Sequence, residues 1–193
     1  RGLGDVYKRQ SEYVIIKYWK DYHKWNLEQF LNKPESFPDR NVWVDPETDR
    51  YVIEYLIYVN EQPLGLPIDH VSTLEDSFNF WEKHEFSTTD GKKAVAKFST
   101  TDKKFEANVW VTWVVRNLGE GVLGHANLGK GVVEVAIGSY GCDGGFQLFD
   151  VNTVEYIMTH ELGHSLGLPH SAQLDSIMYP TIPDTGFEYC LLD

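Results

Sequence analysis

The alternation of apolar and polar residues along the chain predicts a sheet. Five segments are dense in β-branched and aromatic residues, which is the composition of strands. The predicted strands are 41–44, 51–59, 93–99, 106–115 and 132–138. The first two are separated by the turn sequence DPETDR, and GVLGHANLGKG (121–131) is a further extended stretch punctuated by glycines.

Two other segments repeat apolar residues at helical spacing. The first, 69–84, begins with Ser72 and Glu75 at the spacing of a capping box. Its apolar stripe consists of Val71, Leu74, Phe78 and Trp81. The second begins at Asn152 and runs to about Leu166. Strands combined with two long helices predict an α+β fold in one domain, with a mixed, twisted sheet.

The N-terminal residues contribute less to this pattern. RGLGDVYKRQ (1–10) has no apolar periodicity and is similar to translated adaptor sequence, so we interpret it as non-native read-through. Residues 11–49 form an extension of uncertain role. Within it, 11–31 has aromatic residues near helical spacing, although its start has the composition of a short strand. The main domain is expected at 50–193, with a short or truncated C-terminal end.

Composition narrows the range of functions. The 193 residues carry a formal net charge of −12, which disfavours binding to a polyanion such as nucleic acid. No apolar run approaches the roughly 20 residues of a membrane-spanning helix. Cys142 and Cys190 are far apart in sequence, and two interpretations remain open: a disulfide in an oxidising compartment, or two buried thiols. Neither the charge nor the cysteines identify a partner or an oligomeric state.

The candidate chemistry lies in HELGHSLGLPH (160–170), on the second predicted helix. His160 and His164 are four residues apart, so they lie on one face of a helix and their rings are able to meet at one metal ion. Glu161 lies about 100° further round the helix, within reach of water at that ion but not of the ion itself. This spacing is typical of zinc hydrolases.

A third ligand follows from the residues after the helix. Gly167 is able to adopt the left-handed conformation that ends a helix, and Pro169 cannot continue one. The chain is therefore expected to turn back and bring His170 to the same ion. The alternative, a capped helix whose histidines are merely hydrogen-bonded, does not account for all five fixed positions together.

These residues carry a specific resemblance. H-E-x-x-H-x-x-G-x-x-H followed by a methionine turn resembles the signature of the metzincin zinc proteases. Ser171 directly after the third histidine, and Met178 in SIMYP (176–180), are similar to the matrixin branch. Upstream, SFNFWEKH resembles the first long helix of that family, and GVLGHANLG resembles the edge strand that lines its cleft.

The resemblance implies a metzincin fold with an active-site helix, a glycine turn and a methionine turn. It also implies a secreted zinc-dependent endopeptidase acting on polypeptides, with one catalytic zinc and with Glu161 as general base. Met178 would pack beneath the zinc without binding it. The implied substrate-binding residues are Leu123, Gly124, His125 and Ala126 on the edge strand, and Pro180, Thr181 and Ile182 after the methionine turn.

The sequence departs from the matrixin pattern in two respects, and two other functions are compatible with a metzincin-like site. Only His125 matches the family's second metal site, which argues against a second zinc, and we interpret it as a surface histidine. No cysteine-switch motif is present. The rivals are a metzincin-fold binding module without turnover, which intact Glu161 disfavours, and a structural zinc protein, which would need a fourth ligand.

The remaining candidates receive plainer interpretations. His23, His70 and His84 lack partners at ligand spacing and are predicted to lie on the surface. The stretch DGG (143–145) is interpreted as a turn rather than a calcium loop.

Overall fold

The computed structural model describes residues 33–62, 69–114, 123–140 and 146–182. Most strands join one twisted sheet with the order β3-β4-β2-β5-β7-β6, and β1 pairs with β2 beside this path. The strands are β1 (Asn41–Asp45), β2 (Arg50–Val59), β3 (Phe86–Ser87), β4 (Lys93–Thr100), β5 (Val109–Val114), β6 (Gly124–Ala126) and β7 (Gly131–Ala136). A separate hairpin is formed by β8 (Gly138–Tyr140) and β9 (Phe146–Leu148).

The four central strands β4, β2, β5 and β7 run parallel, whereas β1, β3 and β6 each pair antiparallel with a neighbour. The five strands predicted from the apolar pattern are confirmed within one to three residues at each end. Strands β3, β8 and β9 were not predicted, because segments of two or three residues are too short to show an alternating pattern.

Two helices pack on one face of the sheet and bury the main core. These are α1 (Ser72–Glu82) and α2 (Val151–Ser165). Strand β5 lies at the centre of the core, where Val109, Val111 and Trp113 are fully buried. Such burial on a parallel strand explains why β5 reads as a nearly continuous apolar run. Among the described residues, neither helix is long and apolar enough to cross a membrane.

The starts of the two helices differ from the prediction. The capping box at Ser72 and Glu75 is wrong, because α1 has Val71 at its N-cap and the Ser72 hydroxyl donates backwards to the Asp69 carbonyl at 2.8 Å. The second helix begins one residue before Asn152. Its cap is Asp150, whose carboxylate accepts from the Thr153 amide at 2.7 Å. A carboxylate at an N-cap satisfies an amide that has no partner within the helix.

Part of the predicted N-terminal extension belongs to the folded domain. Phe37 packs edge-on against Trp110, with ring centroids 5.3 Å apart, in a small apolar cluster on the outer face of the sheet. The Asn108 side chain donates to the Pro38 carbonyl at 2.9 Å, and Lys130 pairs with Asp39 at 2.5 Å. Residues 33–40 are thereby fixed across the back of the sheet. Residues 11–31, Cys142 and Cys190 lie outside the described residues.

Candidate metal centre

Three histidine side chains meet at the C-terminal end of α2. His160 and His164 lie one turn apart on the helix, and Gly167 follows with a φ of +93°. That left-handed conformation carries a steric penalty for any residue with a Cβ, and it reverses the chain so that His170 returns to the helix. One ligand nitrogen from each histidine lies within 4.8 Å of the other two. The convergence predicted from the sequence is therefore present in the structure.

Main-chain carbonyls orient the two helical histidines. His160 Nδ1 lies 2.7 Å from the Ile177 carbonyl oxygen, and His164 Nδ1 lies 2.7 Å from the Leu168 carbonyl oxygen. A carbonyl only accepts, so both Nδ1 atoms carry the proton and donate it, which leaves each Nε2 with a free lone pair. Burial lowers the pKa of both His160 and His164, so the neutral form that binds metals is favoured.

The Glu161 side chain lies against β6, the edge strand, where its carboxylate approaches Gly124. Its side chain is buried, and within the described part of the chain its Oε2 atom has no hydrogen-bond partner. Burial, reinforced by the charge of Glu134, raises the pKa of Glu161 to about 8. A divalent cation beside it would oppose that shift, because a nearby positive charge favours the ionised carboxylate. Burial and a bound cation would therefore act on the pKa of this carboxyl in opposite directions.

The methionine turn packs against α2 next to the three histidines. The Ser171 amide donates to the Met178 carbonyl at 2.9 Å, which ties the residues after His170 to the turn. Met178 is buried, and its sulfur lies against Gly163 of α2, where a Cβ would collide with it. Gly163 therefore permits the close contact between the helix and the turn.

The residues predicted to bind substrate lie on two sides of this centre. On β6, His125 is exposed, Gly124 and Ala126 are half-buried, and Leu123 just before the strand is buried. The turn after β6 is joined to α2, the helix that carries His160 and His164 and is called the metal helix below. The Gly129 amide donates to the His164 carbonyl at 3.1 Å. After the methionine turn, Pro180 and Thr181 are exposed, whereas Ile182 packs against the core.

The other histidines divide into two groups. His84 and His125 are exposed, as predicted, and His125 Nδ1 lies 3.8 Å from Glu134. The surface prediction for His70 is wrong: it is 1% exposed and lies beside Trp113 at the N-terminal end of α1. A lone histidine gives no sequence signal that distinguishes these environments. Within the described residues, no group of three metal-ligand side chains includes either His125 or His70.

The residues that hold the back of α2 could not be predicted from the sequence. Trp81 of α1 donates its indole N–H to the Thr159 carbonyl at 2.7 Å. Trp81 was predicted only as one member of an apolar stripe, and the contact joins residues 78 positions apart. The carbonyls of Ile177 and Leu168 were likewise beyond prediction, because every residue carries one.

Comparisons with known proteins agree with this geometry. A family model described as matrixin matches residues 48–189. Matrix metalloproteinase-26 of Homo sapiens is 45% identical over 67 residues, which are 32% of this chain and 23% of that protein. Metalloendoproteinase 1 of Glycine max is 31% identical over 126 residues, 57% of this chain and 40% of that protein. Matrilysin of Felis catus is 72% identical over 25 residues, 13% of this chain and 10% of that protein. The matched parts thus span less than half of each relative.

Proposed function

Because the chain belongs to the matrixin family, we propose that it is a zinc-dependent endopeptidase whose metal is held by His160, His164 and His170. The observation that carries this proposal is the convergence of three imidazole side chains near a buried carboxyl whose Oε2 atom has no hydrogen-bond partner among the described residues. The relatives matched here are named as proteinases, which supports the same kind of activity.

The donor set fits zinc. Catalytic zinc sites take three protein ligands, commonly histidine nitrogens at about 2.0–2.1 Å, and keep one position for water or substrate. Two of the three histidines here donate Nδ1 to carbonyls, an outer-sphere bond that fixes the ring and makes Nε2 the ligand atom. The chemistry supplied by a bound zinc is that of a Lewis acid, which acidifies water and polarises a carbonyl.

Glu161 is the proton carrier in this proposal. Its carboxyl lies between the metal helix and β6, where it is able to take a proton from the attacking water and return it to the leaving amine. A general base must be ionised to accept a proton, and a bound zinc would favour the ionised carboxylate against the burial that raises the pKa of Glu161. His160 and His164 keep their Nδ1 protons in this proposal, because each Nδ1 faces a carbonyl oxygen, which accepts a hydrogen bond and cannot donate one.

The substrate in this proposal is an extended polypeptide that pairs with β6. Within the described residues, β6 forms the end of the sheet, so its outer edge offers main-chain groups for strand addition. The residues involved are Leu123, Gly124, His125 and Ala126, with Pro180, Thr181 and Ile182 bordering the opposite side. The side chains of Pro180, Thr181 and Ile182 carry no charge, which favours an apolar substrate residue directly after the cleaved bond. The family resemblance favours secretion.

The experiment is removal and return of the metal. The purified protein is treated with a chelator, and cleavage of an unstructured polypeptide is followed by mass spectrometry before and after zinc is restored. We expect about one zinc per chain, loss of internal cleavage on chelation and recovery with zinc. Cleavage that persists at full rate in metal-free protein would refute the zinc mechanism. Full zinc occupancy with no cleavage of any polypeptide would instead favour a binding module.

A further inference from the structure

The back of the metal helix is held by α1 through hydrogen bonds. The Trp81 indole N–H donates to the Thr159 carbonyl at 2.7 Å, and the hydroxyls of Ser77 and Thr159 lie 2.8 Å apart. All three residues are buried. Thr159 immediately precedes His160, so these bonds act on the first peptide of the ligand-bearing turn. Buried bonds of this kind position groups firmly, because losing one leaves a polar group unpaired.

The indole also contacts the next turn of the same helix. A Cβ placed on Gly163 would lie 2.6 Å from Cζ2 of Trp81 and would also collide with the sulfur of Met178. Trp81 and Met178 therefore both approach α2 at Gly163, which has no side chain. Thr159 and Gly163 are four residues apart, on one helix face, and each is directly followed by a ligand histidine.

This arrangement connects Trp81 to the orientation of His160. The carbonyl that accepts from His160 Nδ1 belongs to Ile177, the neighbour of Met178. The Met178 sulfur and Cζ2 of Trp81 both lie close to the point where a Cβ on Gly163 would stand, at 2.4 and 2.6 Å, and both side chains belong to the same buried cluster. A smaller or displaced ring at position 81 would give Met178 room to move, and the Ile177 carbonyl would move with it. Functional sites tolerate displacements of only about 0.5 Å before they lose their geometry.

We propose that Trp81 is a positioning residue for the metal centre: its N–H fixes the Thr159–Gly163 turn, and its ring holds Met178 beneath that turn. The proposal rests on the zinc function argued above. Trp81 touches neither metal nor substrate, so its effect is expected in how firmly the ion is held. Partners of this kind, outside the ligand shell, typically change metal affinity by about 10–100-fold.

Trp113 offers a matched control within the same protein. It is also a fully buried tryptophan, and its indole N–H also donates to a main-chain carbonyl, that of Asn60, at 2.9 Å. Its bond is to the end of β2 rather than to the metal helix. Trp81→Phe and Trp113→Phe therefore remove the same chemical group, and each leaves an aromatic ring in the core. Urea unfolding of both variants measures what each change costs the fold in general.

The test measures metal retention and metal geometry. Each protein is loaded with Co²⁺, its visible absorption spectrum is recorded, and release of Co²⁺ or Zn²⁺ to excess chelator is timed. We expect Trp81→Phe to lose metal about tenfold faster than wild type and to alter the Co²⁺ bands. Trp113→Phe should stay within about twofold and keep the wild-type spectrum. Equal release rates in the two variants would overturn the proposal.

If Trp81→Phe does not fold, the variant Ser77→Ala tests the same proposal with a smaller change. Ser77→Ala removes a hydroxyl that contacts both Thr159 and the Thr73 carbonyl, and it is expected to release metal several times faster than Trp113→Phe. A rate equal to that of Trp113→Phe would then reject the positioning role. Failure of the wild-type protein to bind Co²⁺ at all would contradict the zinc function itself, so the two failures are distinguishable.

Discussion

Gly124 lies directly against the carboxylate of Glu161. A Cβ at position 124 would be 2.5 Å from Oε1 of Glu161 and 2.7 Å from its Cδ. The edge strand and the metal helix therefore approach each other at a point where one partner has no side chain. The Glu161 carboxylate is able to occupy this position because residue 124 is glycine. Any larger residue at position 124 would displace the carboxylate.

Replacing Gly124 tests the importance of that position. Gly124→Val keeps a residue that strands accept well, but two methyl groups would occupy the space of the carboxylate. We expect kcat/KM for a polypeptide substrate to fall by at least about tenfold while zinc content stays unchanged. The control is the double variant with Glu161→Gln. If both changes act through the carboxylate, Gly124→Val should cost little further activity in that background. A full additional loss would show that Gly124 acts by another route.

His170 is the ligand that the chain supplies from outside the helix. His170→Ala leaves α2 and its two histidines in place, so zinc should be bound at least about tenfold more weakly without loss of helix content. Metal titration and circular dichroism measure the two effects. His125→Ala is the matched control for zinc affinity, because His125 is exposed and belongs to no group of three metal-ligand side chains among the described residues. Equal zinc affinity in the two variants would exclude His170 as a ligand.

Buried His70 predicts a pH-dependent stability. Burial lowers the pKa of His70 below the ordinary 6.5, and the charge of Asp69 opposes this shift without cancelling it. Below about pH 6.5 the unfolded chain binds a proton at this histidine that the folded protein does not, so stability is complete above that pH and falls as the pH is lowered. Each unit by which the pKa is lowered corresponds to about 1.4 kcal/mol.

Urea unfolding at pH 5 and pH 7.5 measures this contribution. His70→Phe should lose less stability than wild type between the two pH values, because phenylalanine has no proton to bind. His84→Phe should retain the wild-type difference. The ligand histidines contribute equally to all three proteins, so the comparison isolates position 70. Identical pH dependence in His70→Phe and wild type would contradict the assignment.

The parts of the site that were predictable depend on local geometry. His160 and His164 share a helix face because of the helical repeat, and the turn to His170 follows from the conformational freedom of Gly167, whose φ is +93°. Strands were predictable where burial repeats over several residues. In each case a short stretch of sequence determines the structure.

The parts that were not predictable depend on contacts between distant segments. Asp150 and Asn152 are both good helix caps, and only the three-dimensional path of the chain selects Asp150. His70 became a core residue because Trp113 packs beside it, and Trp81 reaches Thr159 across the helix pair. The role of residues 33–40 was missed because Phe37 finds its partners on strands far along the chain.

The central claim is that Glu161 drives peptide hydrolysis at a zinc held by three histidines. The most direct measurement compares internal cleavage of one unstructured polypeptide by zinc-loaded wild type and zinc-loaded Glu161→Gln, with zinc content determined in the same samples. Glutamine preserves the shape of the side chain but cannot accept the proton. We predict equal zinc content and a loss of cleavage by at least about a hundredfold in the variant. Comparable cleavage by the two zinc-loaded proteins would contradict the mechanism.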